Sequence, residues 1–182
     1  MKLFSIFKKK ENKKIYKCSC CGQVYDDLPL CFGADFPYYY YSIPPDQRDT
    51  RVEKTESLCV IDEEHFFVRG HLTIPINDHS KNLTWNVWTT ISRENFTRVN
   101  DLWNDPERVN EEPYFGWFET IIPTYSQTIN IKSLIHTEPV GLIPTIEIIE
   151  ENHQLRKDQQ EGITLERAFI IVDSVMKDQH SM

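Results

Sequence analysis

"SLCVIDEEHFFVRGHLTIPINDHSKNLTWNVWTTIS", residues 57–92, is rich in β-branched and aromatic residues, and its reading decides the fold. "SLCVID" (57–62), "HFFVRGHLTIPI" (65–76) and "LTWNVWTTIS" (83–92) have strand composition, and the polar "DEE" and "NDHSKN" between them read as turns. Three successive antiparallel strands follow. Side chains alternate along a strand, so Phe66, Val68, Leu72 and Ile74 share one face of the middle segment. Phe67, Arg69, His71 and Thr73 stand on the other.

Working outward, "SRENFTRVNDLWND" changes period: Ser92 is a suitable N-cap, Glu94 suits the first turn, and Phe96, Val99 and Trp103 recur at helical spacing, which predicts a helix over 92–104. "PYFGWFETII" (113–122), "TINIKSLIH" (128–136) and "PTIEII" (144–149) return to strand composition. In the second of these, Ile129, Ile131, Ser133 and Ile135 alternate with a wetter face carrying Asn130, Lys132 and His136. The end is helical. Asn152 can cap a short helix stopped by Gly162, and Thr164 can cap a second with one apolar stripe from Leu165 to Met176. Strands in runs followed by helices predict an α+β protein, a mainly antiparallel sheet with helices packed on one face.

At 182 residues, 40% of them hydrophobic, with 6 Gly and 10 Pro, the chain suits one globular domain. Residues 1–17 hold seven lysines and one glutamate, a charge of +6; with −8 for the whole chain, the rest carries −14. The expected organisation is a basic flexible leader over 1–17 and a single α+β domain over 18–182. An acidic body excludes the basic footprint that nucleic-acid binding requires and favours a basic protein as partner. The apolar stretch in "MKLFSIFKKKENKK" is too short for a signal peptide or a bilayer span, so a cytoplasmic protein with reduced cysteines is expected.

"CSCCG" (18–22) places Cys18 and Cys21 at knuckle spacing, with Gly22 permitting a tight turn. That is half a zinc site, and the same pattern also suits buried thiols. Cys31, Cys59, His65, His71 and His79 are the remaining candidate ligands. A redox pair would want Cys18 at a helix N-terminus, whereas its surroundings read as strand and turn. Should 65–76 and 128–136 share a sheet, Arg69, His71, Asn130, Lys132 and His136 stand together on its polar side, as a binding surface or a solvated face. Tyr38, Tyr39, Tyr40 and Tyr41, between Pro37 and Pro44, are candidates for an adaptable recognition surface or for the cover of a sheet edge. The chain has no G-x-S-x-G, H-E-x-x-H, P-loop or dinucleotide fingerprint.

Several stretches, taken in order, resemble the bacterial family called domain of unknown function 2199: "CSCCGQVYDDLPLCFGAD", "CVIDEEHFFVRGHLTIPI", "WNVWTTIS", "PYFGWF", "HTEPVGLIPTIEI" and "HQLRKDQQEGIT". The resemblance runs from about Cys18 to the C-terminal helix and brings no established activity. It implies cysteines at Cys18, Cys21 and Cys59, and a cysteine where His71 stands, an exchange between two zinc-ligand types that points to a Cys18, Cys21, Cys59, His71 site. Tyr25 stands where the family often has His, a departure from any ligand role there. Cys20, Cys31 and the lysine-rich leader lie outside the shared pattern. The resulting expectation is a non-catalytic protein-binding module, of immunity type among its forms, with a structural zinc knuckle. The alternative is an enzyme using zinc near the CxxC turn, whose site would keep one position open for water.

Overall fold

The computed structural model describes residues 16–19 and 22–180, with side chains to 177. In chain order its elements are β1 (Tyr16–Lys17), β2 (Val24–Tyr25), β3 (Cys31–Gly33), α1 (Arg48–Arg51), β4 (Val52–Lys54), β5 (Leu58–Ile61), β6 (His65–Ile74), β7 (Leu83–Ile91), α2 (Arg93–Asp101), β8 (Tyr114–Trp117), β9 (Lys132–His136), β10 (Thr145–Ile148), α3 (Gln154–Glu161) and α4 (Leu165–His180). Single 3-10 turns occupy Tyr38–Ser42, Pro45–Gln47 and Pro106–Asn110. The protein is α+β. Ser92 caps α2 by accepting from Asn95 N, and Thr164 accepts from Arg167 N at the start of α4. The cap of α3 is His153 rather than Asn152, its side chain accepting from Leu155 N.

β5, β6 and β7 are the three successive antiparallel strands expected of residues 57–92. The sheet they found is mixed rather than antiparallel throughout: β10 lies parallel to β6, and β3 parallel to β7. The reason is that β6 and β7 are long and each lends one edge to two partners. On β6, β5 pairs with His65–Val68 and β10 takes over at His71. On β7, β3 pairs with Thr84–Asn86, after which the chain leaving β8 crosses in, with a bridge at Thr89 to Phe118 and Glu119 N donating to the Trp88 carbonyl at 2.8 Å.

That crossing closes the sheet. β7 pairs with β6, β6 with β10, β10 with β9, β9 with β8, and the chain after β8 returns to β7. The expected single strand over 113–122 is therefore cut short at Trp117, where the chain exchanges β9 for β7 as neighbour. Inside the ring Val68, Leu72, Val87, Phe118, Ile135 and Ile146 are all fully buried. Two hydroxyls share that interior: Ser133 Oγ donates to the Gly116 carbonyl at 3.0 Å, Thr89 Oγ1 to the Trp117 carbonyl at 3.0 Å, and the two oxygens lie 2.8 Å apart. Buried hydroxyls so bonded avoid the cost of desolvation without a partner.

The same hydrophobic cluster includes Val99 of α2, Leu155 of α3, and Ala168, Ile171, Val172, Val175 and Met176 of α4. It also includes Tyr16 and Cys18. Tyr16 is buried and Lys17 pairs with Val24, so the last two residues of the expected leader belong to the fold; residues 1–15 lie outside those described.

Closure depends on a close approach at Gly116, where an added Cβ would meet the Thr90 carbonyl oxygen at 2.1 Å. Backbone cannot yield as a side-chain tip can. Gly116→Ala is expected to destabilise the protein by about 1–3 kcal/mol or more through overpacking, read as a lower urea midpoint. An unchanged midpoint would mean that β8 does not approach β7 so closely.

Candidate functional site

The outer face of β6 and β7 has a dry end and a wet end. Across the pair, Phe67 lies opposite Thr90, Arg69 opposite Trp88 and His71 opposite Asn86. Phe67 and Trp88 are buried in a second cluster with Ile43, Cys59 and Ile61, against which Ala34, Tyr39, Tyr40 and Val52 pack. The chain from Ala34 to Ile43 thus roofs this end. Trp88 Nε1 donates to the Ala34 carbonyl at 3.0 Å, which satisfies the indole while its ring stays dry.

The roof divides the tyrosines. Tyr39 packs on His65 and Phe67 with ring centroids 4.5 and 6.3 Å away, and Tyr40 stacks on Phe36 at 3.8 Å with the Arg48 guanidinium 4.5 Å over its other side. Tyr38 and Tyr41 are exposed. The four residues therefore do two jobs, because a 3-10 turn points successive side chains in different directions.

Glu119 was not singled out by the sequence. It follows β8 on the outer side, is buried, and accepts a bond from the Tyr39 backbone N–H at the start of the roof, while Tyr38 N donates to its carbonyl at 2.8 Å. Desolvation outweighs that bond and lifts its carboxyl from 4.5 to about 7. The signal that could have found it is a lone acid in "FETII" (118–122), among residues composed for burial.

Beyond the roof, Arg69, His71 and Asn86 are partly exposed. Lys132 and His136 share the outer side of the sheet with them, as the alternation of 128–136 predicts, but both are engaged. His136 Nε2 lies 2.8 Å from Glu147 Oε2, and Lys132 Nζ lies 3.8 Å from Glu150 Oε1. Next to them on β8, Phe115 and Trp117 face outward in T-shaped contact, with ring centroids 5.2 Å apart. The period-2 pattern of "YFGW" contains this pair, which strand composition alone does not mark as surface.

Of the expected zinc set, the three described residues, Cys18, Cys59 and His71, lie apart from one another. Cys18 lies in the large cluster with Tyr16, and Cys59 in the second cluster beside Phe67. The Gly22 N–H donates to the Cys18 carbonyl at 3.0 Å; Cys20 and Cys21 lie outside the described residues. Cys59 and His71 share the outer face, but Cys59 stands opposite Phe67, four positions from His71. At about 3.3 Å per residue that is roughly 13 Å, against about 4 Å between two ligands of one zinc ion. Among the described residues no three or more His, Cys, Asp or Glu side chains gather in a group that could hold a metal ion. Burial raises the Cys59 thiol to about 11, whereas Cys31 is exposed.

These features define an α+β fold with a closed mixed sheet and an outer face of aromatic and polar side chains. The chain belongs to the DUF2199 family, described as an uncharacterized protein conserved in bacteria, whose model matches residues 17–163. No curated protein and no solved structure matches it. Among the described residues no helix is long and apolar enough to cross a membrane.

A carboxyl that holds its proton more tightly when folded makes the folded state bind more protons than the unfolded one, so stability falls as pH rises between the two values. For Glu119 the window runs from 4.5 to about 7, and the penalty is complete above it. Its size is at most roughly 3 kcal/mol. Glu119→Gln is expected to flatten this slope and to be more stable than the parent at pH 8, measured by urea unfolding across pH. Parallel pH profiles for the two proteins would show that Glu119 does not titrate differently on folding.

Proposed function

We propose that the protein is a non-catalytic module that binds another protein through the outer face of its sheet, with Phe115 and Trp117 as the anchor. The observation that supports this reading is the exposure of the pair. Two large rings in mutual contact are left 44% and 42% exposed on a strand paired with β9. Aromatic side chains that are already positioned lose little conformational freedom on binding, which is why such residues concentrate at the centres of protein interfaces. Ile121 and Tyr38 are exposed too, at 56% and 47%, and the Tyr38 N–H donates to the carbonyl of Glu119, two residues beyond Trp117.

The charge of the body favours a basic partner, attracted over the acidic surface and held by the aromatic centre. Lys132 and His136, each beside its own carboxylate, lie at the rim of this surface.

The test is affinity capture from the native cell extract, identification of the captured protein, and calorimetric titration with that protein purified. Phe115→Ala and Trp117→Ala are each expected to weaken binding about 30-fold, the loss of roughly 2 kcal/mol typical of an anchor residue. Both rings are exposed, so the unfolding midpoints of these variants stay close to the parent's. Undiminished affinity in the double variant would remove this face as the binding surface.

A further inference from the structure

The wet end of the outer face contains a second feature, independent of any protein docked on Phe115 and Trp117. At Gly70 the edge of β6 changes neighbours. Arg69 N donates to the Ser57 carbonyl at 2.8 Å, just before β5 begins, and His71 N donates to the Pro144 carbonyl at 2.7 Å, just before β10 begins. β5 is antiparallel to β6 and β10 is parallel, so the two strands start back to back and run off in opposite directions. On the far side β3 ends at Gly33, which pairs with Asn86. Three strands thus begin or end around Arg69, His71 and Asn86.

Each of these three side chains has a buried polar atom without a hydrogen-bond partner among the described residues: Arg69 Nε, His71 Nδ1 and Asn86 Oδ1. Buried polar atoms are seldom left so; Trp85 Nε1 and Arg156 Nε are isolated cases elsewhere, whereas these three stand on one face of the β6–β7 pair within two positions of each other. Among the described residues the guanidinium of Arg69 has one side-chain bond, a long one from Nη1 to the Glu56 carbonyl at 3.4 Å, and its carbon lies 5.9 Å from the centre of the Trp88 ring. No carboxylate pairs with it among the described residues. Gly33 keeps space beside it, since a Cβ there would stand 2.9 Å from Asn86 Cβ and 3.3 Å from Arg69 Nη2.

We propose that Arg69, His71 and Asn86 form a binding site for a small oxyanion, a phosphate or carboxylate group. Arginine stays charged at every accessible pH, so a cation is repelled. An oxyanion accepts from Nε and the outer guanidinium nitrogens in the forked geometry that suits carboxylate and phosphate alike. His71 adds a donor at Nδ1 in the tautomer that carries hydrogen there. Half a turn of the Asn86 amide puts Nδ2 where Oδ1 now stands and makes the third donor. The aromatic ring beneath Arg69 limits the water competing for the charge.

The test uses the full chain, labelled with nitrogen-15, titrated separately with inorganic phosphate and with acetate, with sodium chloride at matched ionic strength as control. The Arg69 Nε–H signal is expected to shift saturably with one or both probes, with a dissociation constant of about 1 mM or tighter, and not with chloride. The tighter probe identifies the class of oxyanion. Asn86→Asp, nearly isosteric and negatively charged, is expected to weaken binding tenfold or more. Arg69→Lys keeps the charge but loses the fork, and is expected to weaken it as well with an unchanged melting temperature, which covers the case in which the first variant fails to fold. A wild-type signal unmoved by both probes, or undiminished binding in folded Asn86→Asp or Arg69→Lys, would overturn the proposal.

Discussion

Nine consecutive cross-strand pairs, from Phe66 opposite Ile91 to Ile74 opposite Leu83, hold β6 against β7, and the remaining structure is arranged around them. The ladder is long enough that each strand can lend one part of its free edge to one neighbour and another part to a second. It also settles which side chains face which way. A slip of one residue would exchange the interior set, Val68, Leu72 and Val87, with Phe67, Arg69 and His71. Guanidinium and imidazole would then meet the inside of a closed ring, where nothing compensates a charge. The burial of one face therefore specifies the register of the other, and so the placement of the polar group on it.

The outer face is not uniform because the roof from Ala34 to Ile43 covers only one end of it. Under the roof, Phe67, Cys59 and Trp88 make a dry layer with Ile43 and Ile61. Outside it, Arg69, His71 and Asn86 reach water. Glu119 belongs to the covered end, and its raised carboxyl follows from that position rather than from a neighbouring charge: desolvation is the main cause, and a single backbone N–H opposes it. Phe115 and Trp117, on a strand the roof does not cover, have exposed rings. Burial on this face thus follows the path of the roof more than the character of each residue.

Local pattern made a large part of this legible. The strands of 57–92 and the turns between them, the Ser92 and Thr164 caps, and the alternation of Ser133 and Ile135 with Lys132 and His136 are all properties of adjacent residues. What was not legible depends on residues far apart in the chain. "CFG" at 31–33 is too short to read as a strand and exists as β3 because the edge of β7 is available to it. The parallel placement of β10 depends on how the chain returns after His136, which no local period records. Spacing placed Cys18 near Cys21, but it could not show that Cys59 belongs to a different cluster from Cys18. Glu119 escaped notice for the same reason: its burial is imposed by a roof 76 to 85 positions earlier in sequence.

The division of the β6 edge also bears on how the chain reaches this state. β5, β6 and β7 are joined by connections of three and eight residues, so their pairing involves loops that close at small entropic cost. The pairing of His71 with Thr145 joins positions 74 residues apart. Until that contact forms, the second half of β6 has an unsatisfied edge, and the ring is an open curl whose inner side, with Leu72 and Ile74, meets solvent. An edge of that kind can pair with another chain as readily as with its own distant strand. The point where β5 yields to β10 therefore marks the boundary between what the hairpins can assemble alone and what must wait for the rest of the polypeptide.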